Sequence, residues 1–381
     1  MTATDRTPAA ATRPPLLNRG MLLCFVNTIG ATCSFFLLLS VVPLYAGAAG
    51  AGLATGSLMF AIVVGELITT PLVTRFGYRV VLAGGLVLLG APALVLTMSH
   101  SMVWIAAVCV VRGIGFAFAV VAGGALTALL IPAQRRGEGL ALMGIVSGVP
   151  SVIGLPLGVW LADHAGYGVV GLAGGLAALA AVVSVPALPN RHGEEEQQAG
   201  LVSGLRNAGV RRPAIVFAST ALGTGIVVTF LPLAVPSSLA GLVAVALFVQ
   251  PAAATLARWG AGRYGDRHDP ARLILPSLLT CAAGLALIAL TGDAVAIIAG
   301  VAVFGTGFGV AQNASLSLMY SRVPRSGYGT VSALWNAGYD GGMGVGALGF
   351  GVLAAHTGYP LAFLGAAVLL LAAVLPAIRS R

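Results

Sequence analysis

The feature that most constrains this chain is the recurrence of apolar runs long enough to cross a lipid bilayer. Such runs recur from Met21 to Ile378, and about 20 apolar residues in a helix span a hydrocarbon core of about 30 Å. Only 8% of the residues are charged, whereas a soluble domain carries about 25%. We therefore predict an all-α polytopic membrane protein rather than a soluble one.

The charges indicate how the chain is oriented in the membrane. All 20 basic residues are arginines, and all but Arg112 and Arg258 lie at the termini or in alternate connections between the apolar runs. The intervening connections contain no arginine, and they lie near residues 47–52, 99–101, 163–168, 236–240, 291–294 and 356–359. This alternation follows the positive-inside rule and places both termini in the cytoplasm, which requires an even number of spans. It also explains the net charge of +9 without a nucleic-acid partner.

We predict twelve transmembrane spans, numbered 1 to 12 in chain order. Their approximate ranges are 21–46, 53–74, 79–98, 102–132, 138–162, 167–188, 213–236, 240–261, 272–290, 294–320, 328–355 and 359–378. A cytoplasmic tail (1–20) precedes an N-terminal six-helix bundle (21–188), and a cytoplasmic linker (189–212) leads to a C-terminal six-helix bundle (213–378). The predicted protein is a monomer in the plasma membrane.

The two halves of the chain match each other in sequence. The stretches Arg112-Gly-Ile-Gly-Phe116 and Phe304-Gly-Thr-Gly-Phe308 lie 192 residues apart. Three further matches have nearly the same offset: Ser40–Leu44 with Thr229–Leu233, Arg75 with Arg267, and Gly139 and Gly148 with Gly329 and Gly338. Such a repeat indicates a duplicated six-helix unit, which is the architecture of many secondary transporters, with a binding site between the halves.

On these features the chain resembles the major facilitator superfamily, and most closely its twelve-helix drug and metabolite exporters. Gly262-Arg-Tyr-Gly-Asp266-Arg267 after span 8 is similar to the family's Gly-x-x-x-Asp-Arg loop. The loop after span 2 is similar at Arg75, Gly77 and Arg79, but Thr74 stands where the family usually has aspartate. The resemblance implies that both loops form cytoplasmic gate contacts.

Span 5 contains Gly148, Pro150, Gly154 and Pro156, and it resembles the Gly- and Pro-rich helix of exporters in this family. Proline removes a helix hydrogen bond and glycine permits close approach, so this helix can bend and pack tightly. Ordinary packing of small residues is the alternative interpretation.

Four charged residues lie well within the predicted spans, away from their ends: Glu66, Arg112, Arg258 and Asp340. Arg112 keeps its charge, so at its depth it needs a carboxylate, a water-filled cavity or an anionic substrate. Removal from water favours the neutral form of a carboxyl group, so we predict that Asp340 or Glu66 carries a coupling proton whose affinity Arg112 biases. A static pair that fixes helix packing is the alternative. Arg258 is expected to reach the interface near the cytoplasmic end of its span.

Uncharged polar side chains within the spans are candidates for the substrate cavity. They are Asn27, Gln250, Gln312, Asn313 and Asn336, together with Trp335 because it lies close to Asp340. Hydrogen bonding between helices is the alternative role for each amide.

The sequence therefore predicts a secondary transporter that works by alternating access and exports a small, largely apolar molecule in exchange for protons. An uptake symporter is the alternative, and a membrane sensor or a membrane-embedded enzyme is a weaker one. The chain has neither lysine nor a phosphate-binding loop of the Gly-x-x-x-x-Gly-Lys type, so ATP drive is not supported. The four cysteines show no paired spacing, and we predict no metal site, cofactor or enzymatic activity.

Overall fold

A computed structural model describes residues 17–131, 135–189, 206–265, 267–324 and 327–378, and these are mostly helical. The α-helices are Arg19–Leu39, Val41–Val95, Met102–Leu130, Arg136–Ala165, Tyr167–Ala181, Ala208–Ala234, Ala240–Gly265, Ala271–Ile288, Ala294–Ser321, Tyr328–Thr357, Tyr359–Leu371 and Val374–Ile378. Short 3₁₀ turns cover Leu96–Met98, Val182–Ala187 and Ser237–Leu239.

The longest helical run, Val41–Val95, contains parts of three spans. Its backbone leaves the helical conformation at Gly47 (φ 72°) and at Gly77 (φ 79°), where a side chain would be strained. Within the described residues, ten stretches have the length and hydropathy of a membrane span. Gly77 divides one of these ten stretches, Val41–Met98, into two spans. The helix Tyr328–Thr357 has 30 residues and is long enough to be the remaining span, so the total is twelve. The predicted all-α, twelve-span fold is confirmed.

Several span boundaries differ from their predicted positions. A single residue, Gly47, turns the chain between spans 1 and 2, where a six-residue connection was predicted. Span 7 begins at Ala208, inside the predicted linker, because the Asn207 side chain accepts a hydrogen bond from the Gly209 N–H and caps the helix. Span 8 continues to Gly265 instead of ending near residue 261. Most of the predicted linker and tail lies outside the described residues.

The repeated Gly-x-Gly stretches pack in the same way in both halves. A methyl group on Gly113 would overlap the Leu58 carbonyl oxygen, and one on Gly305 would overlap that of Gln250. Leu58 and Gln250 are again 192 residues apart. The second glycines behave alike, since Gly115 and Gly307 lie against the backbone of spans 3 and 9. The duplication is thus visible as equivalent close helix contacts, as small residues permit in membranes.

The two halves are in close contact on the side predicted to be extracellular. Thr55 of span 2 and Thr229 of span 7 share a buried hydrogen bond of 2.9 Å between their hydroxyl groups. Gly52 of span 2 leaves no room for a side chain because the Ala347 carbonyl oxygen of span 11 lies directly against it. The outer end of the interface between the halves is therefore closed at the point where spans 2, 7 and 11 meet.

Candidate functional site

A cavity of about 1050 Å³ lies between the two halves. It is lined by spans 1, 5, 7, 8, 10 and 11. It extends from Thr224 and Val228, in the middle of span 7, to Gly262 and Arg263 in the last turn of span 8. The cavity therefore reaches the end of the bundle that is predicted to be cytoplasmic, whereas the opposite end is sealed. This is the geometry of a transporter that is open at one end, and in the predicted orientation that end faces the cytoplasm.

Three of the predicted cavity residues line this space: Gln250, Gln312 and Asn313. Gln250 is 3% exposed, and within the described chain its side chain has no hydrogen-bond partner. The Asn313 amide oxygen accepts a weak hydrogen bond from the Ser317 hydroxyl at 3.5 Å. The interhelical bonds that were the alternative role for these amides are thus not seen in the described chain, and the side chains are available to a ligand.

Arg258 also lines the cavity, contrary to its predicted interfacial position. Because span 8 continues to Gly265, Arg258 lies about 10 Å from the helix end at a rise of about 1.5 Å per residue. It interacts electrostatically with Tyr339 of span 11, and no described carboxylate forms an ion pair with it. Its side chain is exposed to this space, so its charge can be hydrated or can meet an anionic ligand there.

An aromatic cluster forms the wall of the cavity on the C-terminal side. Phe308 and Tyr339 line the space, with ring centroids 6.0 Å apart and planes 25° from parallel. Behind them Phe217 stacks on Trp335 at 4.3 Å with an interplanar angle of 8°. The rings therefore form one block of nearly parallel planes. Sequence reasoning missed Phe308 and Tyr339 because an aromatic residue in an apolar helix has no distinguishing pattern.

Glu66 and Asp340 lie within electrostatic range of each other on two helices, one from each half, that pack together. Glu66 lies on span 2 and Asp340 on span 11, and they are close enough for direct electrostatic interaction. Asp340 is 8% exposed, and neither carboxyl group lines the cavity. The structure thus places the two carboxyl groups that the sequence singled out within electrostatic range of each other.

Arg112 lies away from this pair, inside the N-terminal half. It is 1% exposed; its Nη2 donates to the Ser34 carbonyl at 3.0 Å and its Nε to the Leu89 carbonyl at 3.3 Å. No described carboxylate pairs with it. The predicted influence on Asp340 or Glu66 therefore has no direct contact to act through, and backbone oxygens take the place of the expected counter-ion.

The equivalent socket in the C-terminal half is filled by Phe304, which is completely buried. Its ring lies against Gly223, where any side chain would overlap it, and Gly223 stands 189 residues after Ser34. The same space between spans thus holds a guanidinium group in one half and a phenyl ring in the other.

The other predicted cavity residues lie elsewhere. Asn27 is 1% exposed, and neither its amide oxygen nor its nitrogen has a hydrogen-bond partner in the described chain. Trp335 donates from its indole nitrogen to the Ser315 hydroxyl at 3.1 Å, behind the cavity wall. Asn336 is half-buried one helical turn before Asp340 and does not line the cavity.

The predicted gate loops differ between the halves. In the first, Gly77 makes the turn, the Arg75 guanidinium lies 5.2 Å from the centre of the Phe76 ring, and Arg79 donates from Nε to the Leu188 carbonyl at 2.6 Å. In the second, Gly262 lies close to the Asn313 amide. The backbone N–H of Arg267 donates a hydrogen bond to the Tyr264 carbonyl at 3.1 Å. Asp266 lies outside the described residues.

Span 5 forms a wall of the cavity and also packs against span 1. Gly148 lines the cavity and has open space beside it. Gly154 packs against the backbone of Phe36 and Leu37 in span 1. Helix Arg136–Ala165 continues through Pro150 and Pro156. The helix thus uses one glycine for close packing and another to line the cavity.

Comparison with known proteins identifies the family. The solved structures similar to this one include the nucleoside transporter NupG, with a TM-score of 0.77 and 13% sequence identity over 96% of this chain and 99% of that chain. An aspartate-to-alanine mutant of NupG is similar, with a TM-score of 0.75 and 15% identity over 94% of this chain and 100% of that chain.

At such low identity these structures support the fold alone, and they give no support to the predicted exporter branch. No curated protein sequence matches the chain. The model of the Major Facilitator Superfamily matches residues 21–347. The helices, the repeat and the cavity between the halves agree with that match, and the chain belongs to the Major Facilitator Superfamily.

Proposed function

We propose that this protein is a proton-coupled secondary transporter that moves a small organic molecule by alternating access. The observation that supports the proposal most directly is the pair of carboxyl groups, Glu66 and Asp340, on facing helices of opposite halves. Two neighbouring carboxylates repel each other when both are ionised. A proton on one of them removes the repulsion, so its binding and release change how readily the two halves approach.

The sealed outer end and the cavity at the inner end are consistent with one state of such a cycle. The Thr55–Thr229 hydrogen bond would break when the outer end opens. In the proposed cycle the substrate leaves or enters the cavity from the cytoplasm in the state described here. The domain division remains part of this proposal, with residues 21–188 and 213–378 as the two moving bundles.

For the direction of transport we propose export, because span 5, with its exporter-like glycines and prolines, forms a wall of the cavity. Uptake is the alternative, and the similarity to a nucleoside transporter makes an uncharged nucleoside one candidate substrate. Counterflow in oriented vesicles, with radiolabelled uridine and naphthalenesulfonate as probes, separates the two directions.

Transport in proteoliposomes with an imposed pH gradient tests the proton coupling. We expect Glu66→Gln and Asp340→Asn to abolish gradient-driven accumulation of a transported probe while exchange without a gradient continues. Asp163→Asn removes an exposed carboxylate, which lies 3.7 Å from the His164 ring nitrogen and away from Glu66 and Asp340 in the sequence, and serves as the matched control. Gradient-driven transport at the wild-type rate in both carboxyl variants would contradict the proposal.

A further inference from the structure

The cavity contains an arginine for which the described protein supplies no counter-ion. Arg258 and Arg263 both line the space, and no described lining residue is an aspartate or glutamate. The Arg263 guanidinium lies over the Trp259 ring at 4.5 Å, whereas Arg258 faces only the phenol of Tyr339 among the groups that interact with it. The cavity thus has a positive wall, and Arg258 retains donors for a ligand.

Polar side chains elsewhere in the lining of the cavity provide a second, independent observation. The Thr224 hydroxyl is buried without a hydrogen-bond partner in the described chain, although Thr224 lines the cavity. Gln250 is 3% exposed and also lines the cavity. Buried polar groups are nearly always hydrogen-bonded, so these side chains indicate a polar ligand.

The aromatic residues of the cavity favour a flat ligand. Phe308 and Tyr339 lie on the same side as Arg258, with Phe217 and Trp335 stacked behind them. Aromatic side chains bind planar unsaturated rings through offset or edge-to-face contacts. A guanidinium group provides a planar fork that pairs with an anionic group through two parallel hydrogen bonds.

From this arrangement we infer that the substrate is a planar organic anion whose acidic group pairs with Arg258 while its ring lies against Phe308 and Tyr339. Thr224 and Gln250 then bond to the polar edge of the ring. This inference rests on the proposed function, because it names the substrate class of the same cavity, and it replaces the largely apolar substrate expected from the sequence.

Binding to the purified protein tests the inference without any transport step. The probes are naphthalenesulfonate, its uncharged analogue naphthalenesulfonamide, and cyclohexanesulfonate, which keeps the charge and lacks the flat ring. Isothermal titration should show naphthalenesulfonate binding at least about tenfold more tightly than the sulfonamide, since a hydrogen bond to a charged group is worth about a factor of ten or more. It should bind about two- to tenfold more tightly than cyclohexanesulfonate, which lacks the aromatic contact.

Substitutions assign this preference to Arg258. Arg258→Gln should remove the preference for the sulfonate over the sulfonamide, and Arg258→Lys should retain part of it. Arg272→Gln removes an equal charge from an exposed position outside the cavity and should leave the preference unchanged. Size-exclusion profiles and thermal unfolding of each variant show whether it is folded.

Equal affinity for the charged and uncharged probes, tighter binding of uridine than of naphthalenesulfonate, or a preference that persists in folded Arg258→Gln would each overturn the inference. Selective binding together with transport that ignores the proton gradient would refute the proposed coupling and leave this inference intact. Proton-driven transport of uridine with no effect of Arg258→Gln would refute this inference and leave the proposed proton coupling intact.

Discussion

Two arginines lie within the membrane-spanning part of the described chain, and their surroundings are opposite. Arg112 is sealed between spans 1, 3 and 4 and donates to two backbone carbonyls. Arg258 faces a cavity of about 1050 Å³ and has no counter-ion in the described chain. On the binding role inferred for Arg258, access to the cavity, and not depth in the membrane, separates a packing charge from a binding charge. The sequence, in contrast, predicts a functional role for Arg112 and a position near the interface for Arg258.

Charge reversal gives the largest expected contrast between the two sites. Arg112→Glu places a carboxylate against the carbonyl oxygens of Ser34 and Leu89, where no donor satisfies it, and a buried unpaired charge costs several kcal/mol. We expect this variant to lose folded, monodisperse protein. Arg258→Glu faces the water-accessible cavity and should fold. Size-exclusion chromatography after mild detergent extraction compares them, and equal yields would remove the distinction between the sites.

Conservative replacement should give a smaller difference in the same direction. A lysine at position 112 has a single ammonium group, which cannot reproduce the guanidinium's separate bonds to spans 1 and 3. Losing one such bond costs about 2 kcal/mol, so Arg112→Lys should lower the thermal unfolding temperature by several degrees. Arg258→Lys should leave it nearly unchanged. A larger loss of stability at position 258 would show that Arg258 also fixes the packing of the helices.

The smallest expected effect concerns the seal that keeps the cavity open to one side only. Thr55→Val removes the hydrogen bond to Thr229, which contributes about 0.5–1.5 kcal/mol, whereas Thr55→Ser keeps it. An impermeant thiol reagent added outside should therefore label Thr224→Cys about two- to tenfold faster with the valine than with the serine. The four native cysteines are first replaced by alanine. Identical rates would show that the glycine contacts alone maintain the seal.

The fold could be predicted from the sequence because the bilayer restricts the possible structures. Apolar runs define helices, the arginine-free connections orient them, and the matches near an offset of 192 residues reveal the repeat. The packing of Gly113 and Gly305 against equivalent carbonyl oxygens then follows from that repeat.

The site could be predicted only in part, since it depends on which helices meet. Gln250, Gln312 and Asn313 were found because polar side chains are conspicuous in apolar helices. Arg258 was misjudged because the end of span 8 was placed four residues too early, which moved it toward the interface. Phe308 and Tyr339 gain their significance only where spans 10 and 11 bring their rings together.

The single-residue turns on the outer side have a practical consequence. Gly47, Gly166 and Gly358 each reverse the chain without a loop, through φ values of 72°, 86° and 76°. The face predicted to be extracellular therefore offers little projecting peptide to a protease or an antibody. We expect proteases added to intact cells to leave the chain uncut, and selected binding proteins to recognise mainly the cytoplasmic face.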